Sequence, residues 1–337
     1  MKKFLLFLVK LTVSGILALT VLNLFTLVYY NPPKAVAQPD KFTNSRYESE
    51  VSWSFMTEGF GSGDTNSLGY NSAEPDLKKP MIAFIGSSHT EALEVNQEDN
   101  FVTQTQNQLY GDSLPYNDIQ CQNFGMAGHF FNISVSNFEY FANAFDNVHS
   151  VVIETHELDY SPEQLGKMLN GEYHKELGAR STLYNLAQKI PYLRLINKQY
   201  QDTAGAGEDK SSEEKEFDPI AYHNELDKVM KKLSGIAAEK GFSVTVLYHN
   251  WIQTDENNKP YRHDDAQQRE IFREVCAENG IYFIDATDSF IEHYEKTYEF
   301  PYGFANTTPG AGHLNNTGHK LISNILYEHI TKITEGK

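Results

Sequence analysis

Five short apolar runs punctuate the chain: Met81-Ile82-Ala83-Phe84-Ile85, a run at about 118–123, Val151-Val152-Ile153, Phe242–Tyr248 and Ile281–Ile284. Runs this short, with little polar alternation, predict strands buried on both faces. Helical spacing fills the gaps. Residues 89–109 predict one helix, and 133–145 another with Val135, Phe138, Tyr140, Phe141 and Phe145 available for its inner face. Leu226, Val229, Met230, Leu233, Ile236 and Ala237 follow the same period, as do Ile271, Phe272, Val275 and Cys276. Asn316–Ile333 closes the pattern with Leu321, Ile322, Ile325, Leu326 and Ile330 inward. Strands alternating with helices predict an α/β fold whose parallel sheet is covered on both faces. Such sheets bind ligands at the carboxyl ends of their strands.

The N-terminus departs from this rhythm. Lysines at positions 2, 3 and 10 precede an uncharged run from Leu11 to Pro33. A bilayer core needs about 20 apolar residues in a helix. Lysines on the N-terminal flank alone place that flank in the cytoplasm and the rest of the chain outside. Tyr29 and Tyr30 stand where an interfacial aromatic pair would lie. Ala35-Val36-Ala37 reads as a small-x-small cleavage site, but the apolar run exceeds the 7–15 residues of a signal peptide's core. The expectation is a single-pass membrane protein with its main domain extracytoplasmic. The alternative is secretion after cleavage near Ala37. The chain divides into 1–33 (anchor or signal segment), 34–78 (stalk or irregular cap) and 79–335 (main domain). An insertion at about 160–216 interrupts the main domain, with a helix expected at 181–200 and a loop at Ala204–Glu216.

Composition narrows the function. Of 337 residues, 40% are hydrophobic, as in a globular protein, and the formal net charge is −17. A surface this acidic repels phosphate backbones and excludes nucleic acid as a partner. Two cysteines, Cys121 and Cys276, are too few for a disulfide scaffold and read as buried thiols.

Chemistry-bearing residues recur after the apolar runs. Gly86-Ser87-Ser88-His89-Thr90 follows the first, at a turn where a serine is exposed beside a helix N-terminus. Taken alone, either serine also reads as a helix cap. Asn123-Phe124-Gly125-Met126-Ala127-Gly128-His129 follows the second and suits either an oxyanion site or a plain turn. Before the last helix, Gly310-Ala311-Gly312-His313-Leu314-Asn315-Asn316-Thr317-Gly318-His319 offers His313 as a loop base. His319 reads as structural, and the spacing of the two histidines matches no zinc motif.

Together the three blocks resemble the SGNH/GDSL hydrolase superfamily, over about 80–335. The stretch Ile85–Leu93 looks most like its surface-anchored branch of carbohydrate O-acetyl esterases and O-acetyltransferases. The resemblance implies a flavodoxin-like three-layer α/β/α domain and serine-ester chemistry without metal or organic cofactor. Ser88 matches the nucleophile and His313 the base. The N–H groups of Ser88 and Gly128 match oxyanion donors.

The chain departs from the family pattern at three places. Ser87 stands where Asp precedes the nucleophile, and Leu158 where Asn would supply an oxyanion donor. Ala311 and Gly310 stand where Asp precedes the histidine. A carboxylate for His313 is therefore sought among Glu154, Glu157 and Asp159 after the third strand, with Asp285 as a weaker candidate. His156 or Thr155 is the candidate replacement donor. His89, His156 and Asn315 are candidates for orienting the base or binding substrate. The implied partners are a cell-surface glycan or an acylated small molecule, with a membrane acyl-donor protein as a further candidate. The competing readings are a catalytically impaired glycan-binding or scaffold protein and a lipid-directed esterase.

Overall fold

The computed structural model describes residues 1–37, 45–111, 118–174, 190–196, 198 and 217–335. Five strands form the central sheet: β1 (Met81–Ile85), β2 (Gln120–Asn123), β3 (Val148–Thr155), β4 (Ser243–Tyr248) and β5 (Tyr282–Asp285). They lie in the order β5-β4-β3-β1-β2, and every pairing is parallel. The chain steps from β1 outward to β2 and then crosses back to β3. That reversal gives the flavodoxin-like order and opens a crevice above the carboxyl ends of β1 and β3.

Successive strand residues point to opposite faces, so the apolar runs feed two cores. Met81, Ala83, Ile85, Val151, Ile153, Val244 and Val246 pack under helices Phe131–Ala144, Pro162–Leu169, Pro219–Lys240 and Ala266–Glu278. Ile82, Phe84, Val152, Leu247 and Ile284 face helices Phe101–Gly111, Thr287–Thr297 and Asn316–Glu335. Each buried side chain of this size contributes about 1.5–3 kcal/mol of transfer free energy. Three layers follow from that two-sided burial. Both cysteines are buried free thiols.

Local signals set the helix ends. The Asp218 side chain accepts from the N–H groups of Ile220 and Ala221, with Pro219 in the first helical turn. Gly241, at φ 78°, closes that helix.

One expectation is corrected. The single helix over 89–109 is two. A four-residue helix, Ser88–Glu91, ends at Ala92 with φ 57°, and a second runs Phe101–Gly111. Asn100 accepts from Thr103 N at 2.8 Å and starts the second helix. The break also leaves the carbonyl of Glu94 free to accept from Phe60 N at 3.1 Å.

Within 34–78, expected as a stalk or an irregular cap, the described residues form short strands that pack on the domain. Tyr30–Asn31, Ser52–Phe55 and Gly61–Asp64 form a three-stranded antiparallel sheet, and Ala35–Ala37 pairs with Ser45–Tyr47. Tyr47, Trp53 and Tyr70 from this unit join the main core, with Tyr70 edge-on to Phe124 at 5.1 Å. These strands are short and rich in Ser and Gly, so no apolar period betrays them.

Helix Lys2–Tyr29 is long and apolar enough to cross a membrane, with mean hydropathy 2.3 over its most apolar window. Most of the expected helix at 181–200, and all of the loop at Ala204–Glu216, lie outside the described residues. Within 190–196, Tyr192 N donates to Asn23 Oδ1 at 3.3 Å, and Arg194 donates to Asn31 Oδ1 and to the Pro32 carbonyl.

Candidate active site

The turn after β1 and the loop before the last helix meet. Ser88 Oγ lies 2.9 Å from His313 Nε2, across 225 residues of sequence. The other imidazole nitrogen, Nδ1, lies 2.9 Å from Glu58 Oε2, and the His313 backbone N–H donates to Glu58 Oε1 at 2.9 Å. A serine hydroxyl, an imidazole and a carboxylate thus stand in line. A carboxylate on Nδ1 fixes the tautomer that leaves Nε2 free to accept the serine proton.

Glu58 is the residue that sequence reasoning missed. It comes from the N-terminal unit, on the turn between strands Ser52–Phe55 and Gly61–Asp64. Asn306 clamps that turn, accepting from Gly59 N at 3.0 Å and donating to the carbonyls of Met56 (3.1 Å) and Gly59 (3.0 Å). Gly312 lets the carboxylate in. At φ 87° it takes a conformation that favours glycine, and a Cβ there would stand 2.3 Å from Glu58 Oε1. No local motif marks Glu58, because its partner is 255 positions away.

A second carboxylate stands behind the first. Glu94 Oε1 lies 3.5 Å from His313 Nδ1 and is almost fully buried. Burial disfavours the His313 cation, but the charges of Glu94 and Glu58, with the hydrogen bond to Glu58, outweigh it and raise its pKa to about 9. Burial raises the Glu94 pKa. Burial also acts on Glu58, but its hydrogen bond and charge pairing with His313 prevail and lower its pKa. The donor atoms of Glu58, Glu94 and His313 lie within 4.8 Å of one another, close enough to hold a metal ion. A proton on Nδ1, shared toward the carboxylates, satisfies the same three groups.

The other sequence candidates fall elsewhere. Glu154 does not orient His313. Its Oε2 accepts from Ser87 N (2.8 Å), Ser87 Oγ (2.8 Å) and Thr90 Oγ1 (3.0 Å), and its Oε1 lies 3.0 Å from His249 Nε2. Burial opposes its charge, but hydrogen bonds involving His156 and His249 hold the carboxyl well below its usual range. The side chain therefore braces the nucleophile turn from beneath. Ser87, where the family pattern has Asp, is buried and faces Glu154.

Asn315 is also corrected. Its Nδ2 donates to the carbonyls of Phe300 and Gly303, and its Oδ1 accepts from the N–H groups of Thr317 and Gly318. All its polar side-chain atoms are used in folding the loop. Asp285 pairs with Arg262 at 2.5 Å. His319 accepts from Phe101 N at 3.3 Å, and burial lowers its pKa to about 3.

His89 sits between Ser88 and the remaining histidines. Its ring centroid is 5.2 Å from His313, 4.7 Å from His156 and 5.0 Å from His249. Nδ1 accepts from Leu314 N at 3.3 Å, which pins the His313 loop. Burial, then the neighbouring His156 and His249, push its pKa well below normal, so it stays neutral. Thr155 is unsuited as a donor to the site, since its Oγ1 is bonded to the Glu157 carbonyl at 2.8 Å. His156 remains close by, its Nδ1 3.4 Å from Glu154 Oε1. Glu157 and Asp159 line a separate cleft alongside.

Two backbone donors are free. Neither Ser88 N–H nor Gly128 N–H makes a backbone hydrogen bond among the described residues. Ser88 N–H opens a helix, where the unpaired amides favour negative charge. The Gly128 loop is held against the same turn: Met126 N donates to the Gly86 carbonyl at 3.0 Å, and Ala127 N to Glu91 Oε1 at 3.1 Å. Tyr47 OH also donates to Glu91 Oε1. Burial raises the Glu91 pKa to about 8.

No family profile and no curated protein matches the sequence. Among solved structures, the chain is similar to a two-domain esterase active on acetylated mannans, at 13% identity and TM-score 0.41, covering 75% of this chain and 49% of that one. It is also similar to an acetyl xylan esterase, at 14% identity and TM-score 0.42, covering 74% and 99%. A GDSL-like lipase from Bacteroides thetaiotaomicron aligns at 11% identity and TM-score 0.34, covering 77% and 92%.

Proposed function

We propose that the protein is an extracytoplasmic serine ester hydrolase or O-acyltransferase, acting on acyl groups, foremost acetyl, carried by a cell-surface carbohydrate. The observation that carries this reading is the 2.9 Å approach of Ser88 Oγ to His313 Nε2 with Glu58 on Nδ1. In the mechanism, His313 takes the hydroxyl proton as Ser88 Oγ attacks the acyl carbonyl. Charge develops on the carbonyl oxygen, and the N–H groups of Ser88 and Gly128 receive it. His313 then gives its proton to the departing sugar oxygen, leaving an acyl-serine. Water or a second sugar hydroxyl, deprotonated by the same imidazole, releases the acyl group. Glu58 stabilises the imidazolium in both half-reactions.

The retained-anchor reading has support in the fold. Cleavage near Ala37 would remove strand Tyr30–Asn31, which pairs with Ser52–Phe55, next to the turn that carries Glu58. The alternative of an impaired glycan-binding or scaffold protein rests on a missing Asn and a missing acid; the position of Glu58 on His313 Nδ1 speaks against the second ground, while Leu158 keeps the first.

The test uses the full chain in detergent. A burst of p-nitrophenol from p-nitrophenyl acetate and covalent labelling by a fluorophosphonate are expected. Ser88→Ala should abolish both while leaving the thermal melt in place. Unlabelled wild-type protein, or a Ser88→Ala variant that still turns over, would overturn the reading.

A further inference from the structure

A cleft of about 340 Å³ runs beside the Ser88–His313 pair. Its walls are the loops after β3 and β4 and the segment 263–268, all at the carboxyl end of the sheet. Two of its side chains reach the segments that carry Ser88 and His313. Trp251 Nε1 donates to the carbonyl of Gly312, the residue before His313, at 3.0 Å. The ring of His156 lies 4.7 Å from His89, the residue after Ser88. Trp251 is partly exposed, and Gln268 also lines the cleft. An aromatic ring with a few polar groups is the composition of a small-ligand site.

Apart from the imidazoles of His156 and His263, the charged groups lining the cleft are all acidic. Among the described residues, no lysine or arginine lines it. Of its acids, Asp264 is neutralised by Arg262 (3.1 Å) and Arg269 (2.6 Å), and Asp265 caps a helix through Gln268 N at 2.8 Å. Glu157 and Asp159 are not neutralised in this way. Among the described residues, the nearest cationic group to Glu157 is His156 Nε2, at 3.9 Å, and Asp159 has no ion pair. The overall charge of −17 adds to the negative field.

We infer that this cleft binds the sugar that carries or accepts the acyl group, and that Glu157 and Asp159 select an amine-bearing saccharide over uncharged and anionic ones. The inference rests on the ester-hydrolase reading above for its purpose, and on the cleft alone for its charge preference. A free ammonium on the sugar meets the carboxylates of Asp159 and of Glu157, which faces only the His156 imidazole at 3.9 Å, while a uronate or phosphate meets the same two as like charges. Two partly exposed ion pairs of ordinary strength amount to about a fivefold gain in affinity. Such a gain is screened by salt.

Full-length Ser88→Ala protein in detergent, which cannot turn over, is titrated at slightly acidic pH with tetrasaccharides of glucosamine, xylose and galacturonate. Binding is read by tryptophan fluorescence and by calorimetry. The glucosamine tetrasaccharide should bind tightest, by about fivefold over xylose, with galacturonate weakest. High salt should collapse the order. Glu157→Gln with Asp159→Asn, checked for an unchanged melt, should erase the preference. Equal affinities, galacturonate binding tightest, a preference that survives the double substitution, or no binding of any of the three would each overturn the inference. Absence of the fluorophosphonate label on wild-type Ser88 would instead overturn the catalytic reading and leave the binding order to stand or fall separately.

Discussion

Replacing Glu58 by Gln keeps the shape of the side chain and removes its charge. The His313 pKa stands at about 9 against an ordinary 6.5, a preference for the imidazolium of about 3 kcal/mol. Glu94 and Glu58 share that preference, so the substitution removes about half, or about tenfold in rate, if the imidazolium forms in the transition state. A further loss comes from orientation. The Gln amide can present nitrogen instead of oxygen to Nδ1 and hold the tautomer whose Nε2 carries a proton, useless as a base. In the serine-protease triad, the analogous change from carboxylate to amide costs about 10⁴. The expected fall in kcat is therefore at least about tenfold, from the lost charge alone, and reaches about 10⁴ where the tautomer is lost as well.

The pH profile separates charge from shape. His313 acts as a base only when neutral, so wild-type acylation should rise with pH through an apparent pKa of about 9. That value belongs to Glu58, Glu94 and His313 as a coupled group. With one charge gone, the rising limb should move to lower pH. Stopped-flow acylation by p-nitrophenyl acetate across neutral and alkaline pH measures both quantities. A Glu58→Gln enzyme with near wild-type kcat and an unmoved limb would refute the assignment.

Three further outcomes follow from the same geometry. Gly312→Ala adds a Cβ 2.3 Å from Glu58 Oε1 at φ 87°, so it should lower kcat toward the Glu58→Gln level while circular dichroism shows the fold retained. Glu154→Gln breaks a buried charged network and should cost about 3 kcal/mol in urea denaturation at neutral pH. Because the Glu154 pKa is depressed on folding, its contribution is present above about its ordinary 4.5 and is lost as pH falls through the folded value; the variant should therefore show a flatter acid limb, and an unchanged limb would count against the network. Glu91 titrates at about 8 in the fold against 4.5 outside it, so the folded state binds the extra proton and wild-type stability should decline as pH rises between those values; Glu91→Gln, which still accepts from Tyr47 and Ala127, should remove that decline in paired urea melts.

The strand–helix alternation from Met81 onward carries the α/β class because continuous apolar runs can be buried only in a sheet covered on both faces. The loops that carry Ser88, Gly128 and His313 are legible for a related reason: candidate ligand chemistry in such sheets gathers where strands end, each loop lies at a boundary the pattern marks, and the resemblance of the three motifs singled out the residues. The helix over 89–109 is misread because its apolar period continues through Ala92–Val95, while Ala92 takes a left-handed backbone that the period does not reveal.

Glu58 is invisible for a deeper reason. An acidic residue in a stretch rich in Ser, Gly and Asn looks like any solvated turn. What makes it a partner of His313 is the docking of an antiparallel unit from near the N-terminus, through Asn306 and the Glu94 carbonyl, onto the far end of the chain. Glu154 shows the converse. Its place after β3 suggests the orienting acid, yet the side chain turns down toward Ser87, Thr90 and His249, because buried donors there demand an acceptor. Periodicity and motif order thus determined the sheet, its two cores and the serine–histidine pair. Which carboxylate stands behind the imidazole was decided only in three dimensions, since hydrogen bonds across 255 residues leave no local trace in sequence.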